Sequence, residues 1–288
     1  MARALSAAIV AIWRTMRLTD RRTAIQRTIC LGLGLPMIFA LERGNLVLIA
    51  FTCFILAFGP LLRSARLRWI AAGLAVNLKV YLVAAIVPLL LRRRWRWVEC
   101  ALLSAIIIYF GSYAVLGRGA PIEIIENIRY WATMEPTKIM DVWYGTTYEK
   151  LMIVLKEGLF PFVNIIGSRN VELLEIFLPL LQRMTQLGIV VAAIAAWLRP
   201  EVVPSYRLVN LGVLLALVTS EPGGYAMMFF AFLALMEPWR GFARKWTITV
   251  CYVLAIPLDV ILDIGPPLPR DSYLGNTRTI INYYVTLG

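Results

Sequence analysis

Histidine is absent from the 288-residue chain, which excludes His-based triads, imidazole general bases and His metal ligands within it. Any acid–base chemistry falls mainly to Asp or Glu. Charge is scarce as well, at 16% of residues, below the share that covers an ordinary soluble domain. Paired cysteines are lacking: Cys30, Cys53, Cys100 and Cys251 lie in or beside apolar stretches without motif spacing, so neither a disulfide framework nor a metal site is indicated. The first 22 residues, MARALSAAIVAIWRTMRLTDRR, carry a brief apolar patch but no A-x-A type cleavage site, and no cleaved signal peptide is expected. Internal repeats and low-complexity tracts are also missing.

What the chain has in excess is apolar character, with 60% hydrophobic residues and a mean hydropathy of +0.74. The bilayer is therefore the expected solvent. Hydrocarbon gives an unpaired backbone no partner, so spanning segments are helices or closed barrels, and the long apolar runs lack the alternation of barrel strands. The expected fold is all-α, a polytopic integral membrane protein in a single transmembrane domain over residues 1–288.

Apolar segments fall at Ile29–Leu41, Leu46–Leu62, Trp69–Leu91, Trp97–Leu116, Ile176–Leu198, Leu208–Thr219, Tyr225–Met236 and Trp246–Ile264. A crossing needs about 20 apolar residues, and several of these are shorter. Short segments meeting at a polar break predict re-entrant hairpins, whose tips are tolerated only where protein or a water-filled cavity covers the backbone.

The net charge of +12 does not indicate nucleic acid, because the basic residues sit in short clusters between apolar runs. Eighteen of the 29 Lys and Arg lie in residues 1–28, Arg63–Arg68, Arg92–Arg96, Arg199–Arg207 and Arg240–Lys245. Short loops rich in Lys and Arg stay cytoplasmic. All five clusters can be cytoplasmic together if the chain turns back at Glu42–Asn45, at Asn77–Lys79 and at Glu221–Gly224. Residues 1–28 are then a cytoplasmic basic segment. Residues 117–170, with six basic and six acidic residues, form an extracytoplasmic loop. Within it PIEIIENIRYW sets Ile124, Ile128 and Trp131 on one helical face, the pattern of an interfacial helix, and YEKLMIVLKEGLF is a second such stretch.

Under this topology the three turns converge on one leaflet. Ionisable groups within apolar segments are costly and mark cavities or partners. Arg43 and Lys79 suit a phosphate, Arg through its planar fork and Lys as a compact charge. The candidate binding residues are Arg43, Asn45, Asn77, Lys79 and Tyr225, and the candidate carboxylates are Glu42 and Glu221. The bland alternative for each is an interfacial charge, a snorkelling lysine or an ordinary helix–turn–helix break. Arg92–Arg96 reads as a topological anchor. Glu172, Glu175, Gln182, Arg183 and Gln186 give one segment a polar face. Asp259 and Asp263, four apart, bind a cation or approach the interface.

The stretch ALERGNLVLIAFTCFILAFGPLLRSARLRWIAAGLAVNLKVYLVAAIVPLLLRRRWRW, residues 40–97, resembles glycosyltransferase family 87, the DUF2029 group of GT-C membrane transferases. The resemblance rests on Arg43-Gly44-Asn45, the mid-segment Lys79, Pro88 and the closing Arg-Arg-Arg-Trp-Arg; EPGGYAMMFFAFLALMEPW at 221–239 is similar to a late segment of that fold. It implies a GT-C-like helical bundle in the bacterial inner (plasma) membrane, no cofactor, and a polyprenyl-phosphate-linked sugar as donor to a glycolipid or polysaccharide acceptor. Members of the family carry an initial helix and an acidic extracytoplasmic loop before the matching region, and this sequence has no counterpart to them. The implied consequences are a shortened gene product, a partner chain supplying the missing region, or a non-catalytic subunit or translocator for lipid-linked saccharides.

Overall fold

The computed structural model describes residues 2–42, 46–117, 120–133, 152, 155, 166–219 and 224–256. Among them the regular structure is helical, with no strand, as apolar periodicity without strand alternation requires.

The chain opens with α1 (Ala2–Thr19), α2 (Ala24–Gly32), α3 (Leu35–Glu42) and α4 (Val47–Phe58). Residues 1–28, read from sequence as a basic segment, thus contain a core helix. On α1, Ala8, Ile12 and Met16 recur every fourth residue and are fully buried, facing α2 and α4, while its arginines stay on the exposed side. The patch is too brief for a spanning signal yet long enough for a 3.6-residue stripe.

α5 (Ala65–Leu78) ends where Lys79 takes an extended conformation. Two 3-10 stretches, Val80–Ala85 and Val87–Arg92, follow, and Arg93 in the left-handed region hands the chain to α6 (Trp95–Leu116). The chain reverses direction at Lys79. Arg68 is within electrostatic reach of Arg94, and further along α5 an added Cβ on Gly73 would stand 2.9 Å from the Ala105 nitrogen. Those two matches make α5 and α6 parallel and in direct contact, so residues 80–92 carry the chain back from the end of α5 to the start of α6.

Beyond α7 (Pro121–Thr133) come α8 (Ser168–Leu198), α9 (Ser205–Thr219), a short 3-10 turn at Gly224–Ala226, α10 (Met227–Ala234) and α11 (Phe242–Ala255). α7 leaves Ile122, Ile124 and Ile125 exposed, and Met152 and Leu155 join a small satellite cluster with Val171 and Leu178 of α8. α6 and α8 are long and apolar enough to cross a membrane, at about 33 and 46 Å from 1.5 Å per residue. Asp259 and Asp263 lie outside the described residues.

An aromatic cluster joins α4 to α10. Phe229 meets Phe51 at 5.4 Å and Phe54 at 5.1 Å between ring centroids, both edge-on, the arrangement that sets a ring's positive edge against a negative face. α9 crosses the 3-10 stretches at very close range. Gly212 packs so tightly there that an added Cβ would fall 1.8 Å from the Ala84 carbonyl oxygen; only glycine fits.

Candidate functional site

The basic clusters gather at one end of the bundle. Arg68 Nε donates to the Ala57 carbonyl at 2.7 Å, and Arg92 donates to the Ser205 hydroxyl at 2.8 Å while lying 3.9 Å from Glu201. Two residues beyond Ser205, Arg207 grips Glu237 bidentately, Nε to Oε1 at 2.5 Å and a terminal nitrogen to Oε2 at 2.6 Å. Arg244 approaches the same carboxylate at 3.6 Å. Arg27, only 1% exposed, donates to the carbonyls of Leu235 and Glu237 and lies 3.6 Å from Asp20. The arrangement is what buried charge requires: each cation finds a carboxylate or carbonyls. Arg207–Glu237 also closes the base of the hairpin formed by α9 and α10.

The opposite end holds the breaks. Lys79, at the turn after α5, is half-buried. Its Nζ lies 3.3 Å from the Tyr225 Oη, to which it donates, and 5.0 Å from the centroid of that ring, within cation–π range. Tyr225 belongs to the 3-10 turn at Gly224–Ala226, which packs against α3. α3 and the breaks at Lys79 and Tyr225 therefore meet in one place. Among the described residues no carboxylate pairs with Lys79.

Tyr81, which sequence reading passed over, stands beside this pair. Its hydroxyl is buried without a hydrogen-bond partner among the described residues, and its ring packs edge-on against Phe229 at 6.2 Å. The available signal was slight: a phenol two residues beyond a lysine set in an apolar run, in a segment whose 3-10 form apolar periodicity does not reveal.

The other candidates separate. Asn77 Nδ2 donates to Gly73 O at 2.8 Å and to Ala105 O at 2.9 Å, so this amide ties α5 to α6. Glu42 is the last residue of α3. Arg43, Asn45 and Glu221 lie outside the described residues. On α8, Gln182 donates to the Val218 carbonyl at 3.3 Å, turning part of that polar face toward α9. Among the described residues no cluster of three or more His, Cys, Asp or Glu could hold a metal.

Chemically, the Lys79–Tyr225 pair offers an ammonium with two remaining N–H directions and a phenol, suited to anionic oxygens. No family model, curated protein or solved structure matches the chain.

Proposed function

We propose that the chain is a multi-pass membrane protein of the plasma membrane that holds the phosphate of a polyprenyl-phosphate-linked sugar at Lys79 and Tyr225 and transfers the sugar to a lipid- or polysaccharide-linked acceptor. The membrane reading draws on where the apolar surface lies. The most apolar windows of α6 and α8 are only 17% and 11% buried, unlike the mostly buried core helix of a water-soluble domain. Ile106, Ile107 and Phe110 of α6, and Ile176, Phe177, Leu187 and Val191 of α8, face outward, an apolar surface that lipid would cover. The gathering of basic clusters at one end supports a cytoplasmic assignment for that end. The tip cluster and residues 117–170 then belong to the outer side, with the three hairpins re-entrant and the bundle GT-C-like.

One observation carries the substrate class: a half-buried ammonium at a chain reversal, seated on a phenol and lacking a described carboxylate. A cation so placed is favoured by an anionic oxygen. A donor whose lipid tail lies in the bilayer delivers its phosphate at this depth, and the same charge would stabilise the leaving phosphate during transfer. Glu42 and Glu221, each next to a tip, are the carboxylates for deprotonating the acceptor hydroxyl.

A second reading has its own support. Glu237, the buried carboxylate among the described residues, is committed to Arg207 at the far end. A groove that binds the donor without a base would serve a translocator or partner subunit. The deciding experiment places the full chain in nanodiscs with a short-chain polyprenyl-phosphate mannose and measures binding and transfer separately. Turnover abolished by Glu42→Gln or Glu221→Gln establishes the transferase; saturable binding without turnover establishes the second reading; absence of binding removes both.

A further inference from the structure

At the basic end, away from the tip cluster, α8 and α9 diverge and leave an open groove of about 490 Å3. Its floor is apolar, formed by Ala192, Ala195, Ala196, Leu211 and Leu214, and Arg199 and Arg207 stand at its mouth. The small side chains on α8 create the space. The groove thus runs from a cationic mouth to an aliphatic floor, along helices whose outer faces are Leu, Ile and Val.

Two further features bear on the occupant. Arg207 is engaged by Glu237, whereas Arg199 is exposed and has no ion-pair partner among the described residues. One turn beyond Arg207, Asn210 also lines the groove, but its Oδ1 is closed off from it. A phosphate at the mouth would give Arg199 the partner it lacks. A zwitterionic headgroup brings its own cation to Arg199 and offsets the attraction; a soluble anion leaves the aliphatic floor in contact with water.

We infer that the groove between α8 and α9 is a site for one anionic glycerophospholipid, its phosphate at Arg199 and an acyl chain against Ala192 and Ala195. The inference rests on the membrane reading above, and the test separates the two.

The full chain is reconstituted in phosphatidylcholine nanodiscs, where resistance to alkaline extraction from matching vesicles reports membrane insertion. It is then transferred to detergent with phosphatidylglycerol or phosphatidylcholine, and native mass spectrometry counts retained lipid. One retained phosphatidylglycerol per chain is expected, in preference to phosphatidylcholine. Arg199→Glu should weaken it about tenfold, the effect of losing one charge-assisted hydrogen bond, and Ala195→Trp, at an exposed position, should displace it by filling the groove. Insertion should be unchanged in both variants. Equal retention of the two lipids, indifference to both substitutions, displacement by inorganic phosphate, or a dimer mass in place of the lipid adduct would each overturn the site while insertion still stands. Loss of insertion by the unsubstituted chain would instead overturn the membrane reading.

Discussion

The ammonium of Lys79 rests 3.3 Å from the phenolic oxygen of Tyr225 across 146 residues of sequence, so the turn after α5 and the turn before α10 share one polar contact. Neither turn belongs to a helix long enough to cross a bilayer. Their meeting gives the bundle a polar interior point, fixed from below by the aromatic packing of Phe229 on Phe51, Phe54 and Tyr81.

Tyr225→Phe keeps the ring under Lys79 and removes the hydroxyl. Binding of a polyprenyl-phosphate sugar should weaken about threefold, the worth of one ordinary hydrogen bond, with the thermal midpoint of the detergent-solubilised chain nearly unchanged. Equal affinity would limit Tyr225 to a cation–π seat.

Gly212 and Gly188 make an internal comparison. Both are helical, but an added Cβ meets the Ala84 backbone at the first and nothing within 4 Å at the second. Gly212→Ala should destabilise by about 1–3 kcal/mol, the usual cost of overpacking, or prevent folding. Gly188→Ala should be neutral or stabilise by about 0.5–1 kcal/mol through helix propensity. Thermal unfolding of the two variants side by side checks the close crossing of α9 over the 3-10 stretches.

Glu237→Gln leaves Arg207 and Arg244 without their carboxylate at a site where that carboxylate is 11% exposed. Because the Arg207 and Arg244 side chains are 34% and 42% exposed, solvent screens the loss, which should be about 1–2 kcal/mol. The double variant Arg207→Ala with Glu237→Ala should lose less than the two single losses combined, and strict additivity in that cycle would mean the pair is not coupled.

The Thr23 hydroxyl donates to Asp20 at 2.9 Å and is the main reason its carboxyl titrates below the usual 3.8, with the Arg22 amide and the Arg27 charge helping and partial burial opposing. Because the folded state binds this proton more weakly than the unfolded state, the contribution is present above about pH 4 and is lost as pH falls through the lowered value. Hydrogen exchange at the α1–α2 junction should accelerate below that range, and Asp20→Asn should flatten this component of the pH profile.

Single cysteines replacing Arg66 and Met140 in a cysteine-free background should be labelled by an impermeant reagent from opposite sides of sealed vesicles, residue 66 from the cytoplasmic face. Labelling of both from one side would contradict the topology.

Much of the architecture is legible in the sequence because hydropathy and charge act locally. The reversal at Lys79 follows from a cation in an apolar run flanked by two basic clusters that have to stay together, and the break before Tyr225 follows from Pro222-Gly223-Gly224. What stayed hidden depends on pairing across long separations. Arg27 reads as one more basic residue of the first segment until it meets the carbonyls of Leu235 and Glu237, 208 and 210 positions away. Glu237 carries no local sign of its role, since its partners Arg207 and Arg244 come from two other helices. Asn77 looks like a polar group facing a cavity, yet its amide is used between helices, which only the proximity of Ala105 reveals. Tyr81 is hidden for a different reason: a 3-10 stretch shifts which side chains share a face, so a 3.6-residue period misplaces it.

The most direct test is the affinity of the full chain for a short-chain polyprenyl-phosphate sugar in nanodiscs, compared with Lys79→Ala and with Lys79→Arg. A phosphate held by this ammonium predicts a loss of about tenfold or more in the alanine variant, with substantial recovery in the arginine variant and unchanged yield of folded protein in both. An affinity for the alanine variant equal to that of the unsubstituted chain would contradict the donor-binding role and leave Lys79 as a cation seated on Tyr225 for structural reasons alone.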